Sequence, residues 1–186
     1  MKLLVVRHNQ SKGNVANVID DNSNPKRDKN GLSEKGINES KELVKILESH
    51  KIDTVIVSPF RRTIETVQPY LNKHKVKLIV SDLTSERNAG IFAGKPKTAI
   101  KEYCIADNIT DRVSFKPKGG ESIFEVYERA KKFIAYLKKN FKNETILLCG
   151  HVNFLCCLDI AIKKLEIHDF YNQERLENGQ LREYIL

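Results

Sequence analysis

Residues 3–14, LLVVRHNQSKGN, decide how the fold is read. Four apolar residues stop at Arg7-His8, and the chain then enters a polar, glycine-containing turn. A short continuous apolar run bounded in this way fits a strand buried on both faces of a parallel sheet. Such a strand has no structural need for a cation and an imidazole side by side at its end. The pairing acquires meaning only if other segments deliver partners to the same place.

Two more runs have the same character, TVIVS at 54–58 and TILLC at 145–149, and VKLIVS at 76–81 is a weaker fourth. Helical patterns lie between them. Ser33 is a fitting N-cap for a helix over 34–49 with Ile37, Val44 and Leu47 on one stripe. Residues 61–73 place Ile64, Val67 and Leu71 on a second, in which Pro69 is expected to kink or shorten the helix. Ser122-x-x-Glu125 reads as a capping box that opens a helix over 122–139, with Val126, Ala130, Phe133 and Leu137 inward. Residues 152–164 are apolar nearly all round and so packed deeply, and NGQLREYIL at 178–186 reads as a turn and an edge strand. Alternating strands and helices predict a three-layer α/β/α sandwich around a mainly parallel central sheet, a single domain over 1–186 with 82–121 as a small capping excursion.

Composition narrows the function classes. The start MKLLVV is too short an apolar run for a signal peptide, and no stretch approaches the roughly 20 apolar residues that cross a bilayer. Cys104, Cys149, Cys156 and Cys157 have no CxxC spacing, which predicts buried reduced thiols and a cytoplasmic setting. The net charge of +8 resides mostly on solvated helix faces such as RAKKFIAYLKKNFKN, without the interleaved aromatics a nucleic-acid surface needs. The same charge suits a small anionic substrate steered toward a cleft. No membrane or nucleic-acid partner is expected, and monomer and homodimer both remain open.

Ligands of open α/β sheets bind beyond the carboxyl ends of the strands. Here those ends read Arg7-His8, Pro59-Phe60-Arg61-Arg62 and Gly150-His151, so two histidines and up to three arginines converge on one rim. Arginine forks bind phosphate oxygens bidentately, and a histidine among them is a candidate nucleophile toward phosphorus.

The segment Arg7-His8-Asn9-Gln10-Ser11-x-x-Asn14 resembles the Arg-His-Gly-Glu-Thr/Ser-x-x-Asn signature of the histidine phosphatase superfamily, which includes the cofactor-dependent phosphoglycerate mutases. Further landmarks follow in register: Leu32-Ser33-Glu34-Lys35-Gly36, Ser58-Pro59-Phe60-Arg61-Arg62-Thr63, Glu86-Arg87-Asn88-Ala89-Gly90 with Gly94, Gly119-Gly120-Glu121-Ser122, and Gly150-His151. The resemblance implies a phosphoglycerate mutase-like fold and a phosphomonoester hydrolase that needs no metal or other cofactor. It implies His8 as the nucleophile that forms a phosphohistidine. Arg7, Asn14, Arg62 and His151 would hold the phosphoryl group, and Glu86 would be the general acid and then the base. A carboxylate near a phosphate has its pKa pushed up, which suits that role.

The chain departs from the signature at three positions. Asn9 replaces a glycine, a tolerable choice if the turn needs positive φ; Gln10 replaces a glutamate; and Val152 replaces a glycine and narrows the site. The short 86–121 segment favours a phosphatase over a mutase, and Lys95, Lys97, Lys116 and Lys118 are candidates to meet a second anionic group. The rivals are a catalytically silent phosphate- or protein-binding module and a metal site of His8, His151, Glu86 and Glu121. No HxH or HExxH spacing supports the last of these.

Overall fold

A computed structural model describes all of residues 1–186. Five strands form one sheet, β1 (Lys2–Arg7), β2 (Thr54–Val57), β3 (Lys77–Val80), β4 (Thr145–Gly150) and β5 (Leu181–Ile185), in the spatial order β3-β2-β4-β1-β5. Every pairing is parallel except that of β5, which runs antiparallel to β1 along one edge. Six helices accompany the sheet: α1 (Lys12–Ala16), α2 (Glu34–Leu47), α3 (Arg61–Lys73), α4 (Ala99–Ala106), α5 (Ile123–Asn140) and α6 (Val152–Lys163).

The period-two alternation of a strand sorts the β1 side chains between two cores. Leu4 and Val6 pack with Leu43, Leu47, Val67 and Tyr70 of α2 and α3. Leu3 and Val5 pack with Val126, Phe133, Leu137, Phe154 and Leu158 of α5 and α6. Leu3, Leu4 and Phe133 are fully buried, each contributing about 1.5–3 kcal/mol relative to exposure. The result is the expected three-layer sandwich. No helix is long and apolar enough to cross a membrane, and all four cysteines are buried and free.

Three local expectations are corrected. The buried stripe of α2 is Gly36, Ser40, Leu43 and Leu47, while Ile37 is 45% exposed. Two of those inward positions carry small or polar residues, so a search for apolar residues found the neighbouring flank. A Cβ on Gly36 would lie 2.1 Å from the Gln10 carbonyl oxygen, so only glycine lets α2 press against the turn after β1. Pro69 does not shorten α3, which continues to Lys73. The proline removes one intrahelical donor, but the packing of Thr66, Val67 and Tyr70 on either side of it holds the helix together. The 82–121 excursion contains α4, which has no side-chain N-cap and buries only Cys104, and so left little trace in the sequence pattern. The weaker run proves to be the edge strand β3, whose Leu78 and Val80 are exposed.

Candidate active site

Strand register brings the three carboxyl ends together. Arg7 pairs with Gly150 and Val57 with Cys149, so the turns leaving β1, β2 and β4 are neighbours. Above them opens a cleft of about 290 Å³ whose walls include Arg7, His8, Asn14, Arg62 and Glu86. His151 is close by but lies behind the wall: its ring is wholly buried and packs edge-on against that of His8, centroids 5.2 Å apart.

The turn after β1 fixes His8. Its backbone N–H donates to the Gly150 carbonyl at 3.0 Å. Its Nδ1 lies 2.8 Å from the Asn9 carbonyl oxygen, which can only accept, so Nδ1 carries the proton and Nε2 keeps its lone pair. Burial, followed by the charge of Arg62, holds the imidazole well below its ordinary pKa, so the neutral form persists.

His151 is held by its other nitrogen. Nε2 lies 2.6 Å from Ser58 Oγ, whereas Nδ1 is buried without a protein partner. The proton on Nε2 follows from the surroundings. The Phe60 carbonyl, at 2.8 Å, is the nearest acceptor for the single proton of Thr63 Oγ1, and with the proton placed there Thr63 accepts from Ser58 Oγ at 3.0 Å. Ser58 Oγ must then accept from His151 Nε2. Burial, and then Arg62, also holds His151 well below its ordinary pKa.

Arg62 opens the first turn of α3 and is 1% exposed. One Nη donates to Asn22 Oδ1 at 2.9 Å, Asp20 stands off at 3.8 Å, and Nε and the other Nη are buried without partners. Arg7 donates through Nη1 to the Leu176 carbonyl and likewise leaves Nε unpartnered. Unmet buried donors cost about 1–3 kcal/mol each, more for charged groups, so this arrangement stores affinity for an anion. The N-terminus of α6 adds its positive end, since Val152 and Asn153 line the same cleft.

Glu86 reaches the cleft from the excursion and is 8% exposed. Its two carboxylate oxygens accept from the backbone N–H of Arg87 at 2.7 Å and of Asn153 at 3.2 Å. It is thereby tied to the helix that begins beside His151.

The cleft wall also contains residues that sequence reasoning did not single out, notably Asp20, Asn22, Arg87, Lys101, Arg112 and Tyr171. Arg87 donates to the carbonyls of Glu121 and Phe115, and Arg112 stacks 4.0 Å from the Tyr171 ring centroid. Burial pushes the Asp20 carboxyl above its ordinary pKa. Of the four candidate lysines only Lys97 lines the cleft; Lys116 pairs with Glu125 and Lys95 lies over the Phe92 ring. Altogether six cationic side chains face two carboxylates.

The departures from the signature have definite placements. Asn9 does not have positive φ, so the backbone reason for tolerating it falls away. Gln10 turns away from the cleft and accepts from Ser33 Oγ at 2.8 Å. Glu121 is tied to Arg129 and the Asn88 amide, and no three His, Cys, Asp or Glu side chains gather in metal-binding reach.

An α/β sheet with an arginine-lined anion cleft over paired histidine-bearing strand ends defines a class of phosphoryl-handling protein. The model of the histidine phosphatase superfamily, branch 1, matches residues 3–184, and the chain belongs to that superfamily. It is 25% identical over 177 residues to phosphoserine phosphatase 1 of Hydrogenobacter thermophilus, covering 92% of this chain and 81% of that protein. It is 27% identical over 192 residues to a 2,3-bisphosphoglycerate-dependent phosphoglycerate mutase of Cytophaga hutchinsonii, covering 98% and 86%. Its fold is similar to that of a mycobacterial glucosyl-3-phosphoglycerate phosphatase, with a TM-score of 0.84 at 19% identity over 98% of this chain and 91% of that one.

Proposed function

We infer that the protein hydrolyses a small phosphomonoester through a phosphohistidine formed on His8, without a metal ion. One observation carries this reading. A buried guanidinium with unpartnered N–H groups, that of Arg62, shares a cleft with an imidazole whose accessible nitrogen holds a lone pair. In the first step Nε2 of His8 attacks phosphorus, the ester P–O bond breaks, and Glu86 gives its proton to the leaving oxygen. In the second, Glu86 takes a proton from water, whose oxygen displaces Nε2 and releases inorganic phosphate. Arg7, Arg62 and Asn14 spread the charge of the transferring group, and His151 supports it from behind once it gains a proton at Nδ1.

The excess of cations favours a substrate with a second anionic group. Arg87, Lys97 and Arg112 stand in the cleft beyond the phosphoryl-holding set, without a carboxylate among their hydrogen-bond partners. The short excursion favours water over a second substrate oxygen as the acceptor, and so a phosphatase over a mutase.

A panel of phosphomonoesters assayed with chelator present tests the activity, with 2-phosphoglycerate formation from 3-phosphoglycerate read in the same samples. Phosphate release is the expected result, and isomerisation without release would make the protein a mutase. Glu86→Gln is expected to slow turnover about 10²–10⁴-fold on an alkyl phosphate and far less on an activated aryl phosphate. An equal loss on both would remove Glu86 from the acid role.

A further inference from the structure

The turn Leu176–Gln180, just before the final strand, is hydrogen-bonded to the end of β1 and the turn after it through Leu176, Asn178, Gly179 and Gln180. Arg7 donates through Nη1 to the Leu176 carbonyl at 2.8 Å. The backbone N–H of Gly179 donates to the Arg7 carbonyl at 3.0 Å, and that of Arg7 to Gln180 at 3.3 Å. Asn178 Nδ2 donates to the His8 carbonyl at 2.7 Å and to Asn14 Oδ1 at 3.2 Å. Asn178 is about 170 positions away in sequence from His8 and Asn14, which marks this as a tertiary clasp rather than local turn geometry.

The contact with Asn14 has a chemical consequence. Asn14 Oδ1 already accepts from the Ser11 backbone N–H at 3.0 Å, so the Asn178 amide is its second donor. With the oxygen occupied twice, the NH₂ end of Asn14 is the end left for a ligand, and Asn14 lines the cleft. An anion needs a donor there; an inverted amide would offer it an oxygen.

Asn9 and Gly179 show how closely the two turns fit. A Cβ on Gly179 would come within 2.5 Å of Asn9 Oδ1, and Gly179 has φ of +72°. The side-chain amide of Asn9 is fully buried and has no protein hydrogen-bond partner, so it acts here by volume. The space it fills exists because position 179 has no side chain.

Resting on the reading of the cleft as a phosphoryl site, we propose that Leu176–Gln180 is a working part of that site and that Asn178 is a positioning residue. It sets the amide of Asn14 donor-first toward the phosphoryl group and pins the backbone of His8. The tail thus governs three of the groups assigned to phosphoryl handling, Arg7, His8 and Asn14, from outside the cleft.

A double-mutant cycle between Asn178 and Asn14 tests this, read as the affinity for inorganic phosphate measured by competitive inhibition of aryl phosphate turnover. Thermal midpoints are taken on the same four proteins. Asn178→Ala is expected to weaken phosphate binding roughly 10-fold and to lower kcat, as misplacement of a binding group does. In an Asn14→Ala background the same change is expected to weaken phosphate binding less than about 2-fold while shifting the midpoint equally. Equal losses of affinity in both backgrounds, or no loss in either, overturn the positioning role. Wild-type protein that binds no phosphate overturns the reading of the cleft and the clasp with it.

Discussion

The turns after β1 and β4 each carry one buried histidine, and the two rings are held by opposite nitrogens. His8 is fixed through Nδ1 by the carbonyl of its own neighbour, which leaves Nε2 bare beside the cleft. His151 is fixed through Nε2 by Ser58, which leaves Nδ1 bare within the protein. Both are stripped of water and sit in the field of Arg62, so both are neutral at rest. Sequence makes them look like repeats of one motif at two strand ends. Their hydrogen bonds leave one with its lone pair at the cleft, as the proposed nucleophile needs, and the other with a bare nitrogen that must gain a proton before it can donate. A phosphate dianion would raise the His151 pKa by placing negative charge beside it, so anion binding and proton uptake are coupled.

The largest difference is expected from removing each ring in turn. His8→Ala is expected to abolish turnover, by on the order of 10⁴-fold or more, because a covalent route has no second nucleophile. His151→Ala is expected to cost about 10²–10³-fold, the scale of losing one donor to developing charge. Trapping the acid-labile phosphoenzyme with a rapid alkaline quench separates the two: His8→Ala forms none, while His151→Ala forms it slowly. Phosphoenzyme in the His8 variant would break the contrast outright.

That the two histidines converge was legible in the chain; what distinguishes them was not, and for a physical reason. The strand ends could be read because three apolar runs stop at charged or polar residues, and parallel order brings such ends to one rim. The cleft gathers Arg7, His8, Asn14, Arg62 and Glu86, with His151 behind its wall. The partner that orients His151 could not be read, because the direction of the Ser58 proton depends on where Thr63 sends its own. Arg112, Asp20 and Asn178 were missed for a similar reason. They sit in segments with no periodic pattern, and their importance comes from tertiary closure: Ile19 is hydrogen-bonded to Lys95 and Gly94, and Asn178 to His8. The Asn9 reading failed because it assumed a backbone reason, whereas the residue is accommodated by space left at Gly179.

A smaller effect is expected at Ser58. Its oxygen accepts from His151 Nε2–H and favours the imidazolium more than the neutral ring, so Ser58→Ala should lower the His151 pKa further. The acceptor lost is worth about 1–1.5 kcal/mol, or roughly 10-fold in phosphate affinity, at neutral pH and above. At lower pH protonation is easier and the deficit should shrink. Competitive inhibition by phosphate, measured across pH 5.5–8.5 in wild type and variant, checks the slope. A deficit that is constant with pH would mean that Ser58 shapes the pocket without touching the proton on His151.

The smallest expected effect tests whether the two rings are equivalent at rest. Both have folded-state pKa values well below the ordinary 6.5, so below that pH the unfolded chain binds protons that the native protein refuses. The unfolded state then gains stability, and the native protein is destabilised as pH falls from 6.5. Each such histidine contributes about 1.4 kcal/mol per pH unit once its unfolded form is mostly protonated. Urea unfolding at pH 7.5, 6.5 and 5.5 should show this loss without ligand, and His8→Asn or His151→Asn should each remove half of the slope. Saturating phosphate should flatten it through His151 alone, because the anion favours the imidazolium there while His8 must keep its lone pair to react. If phosphate flattens the slope equally in the two single variants, the rings share one proton and the division of roles between them fails.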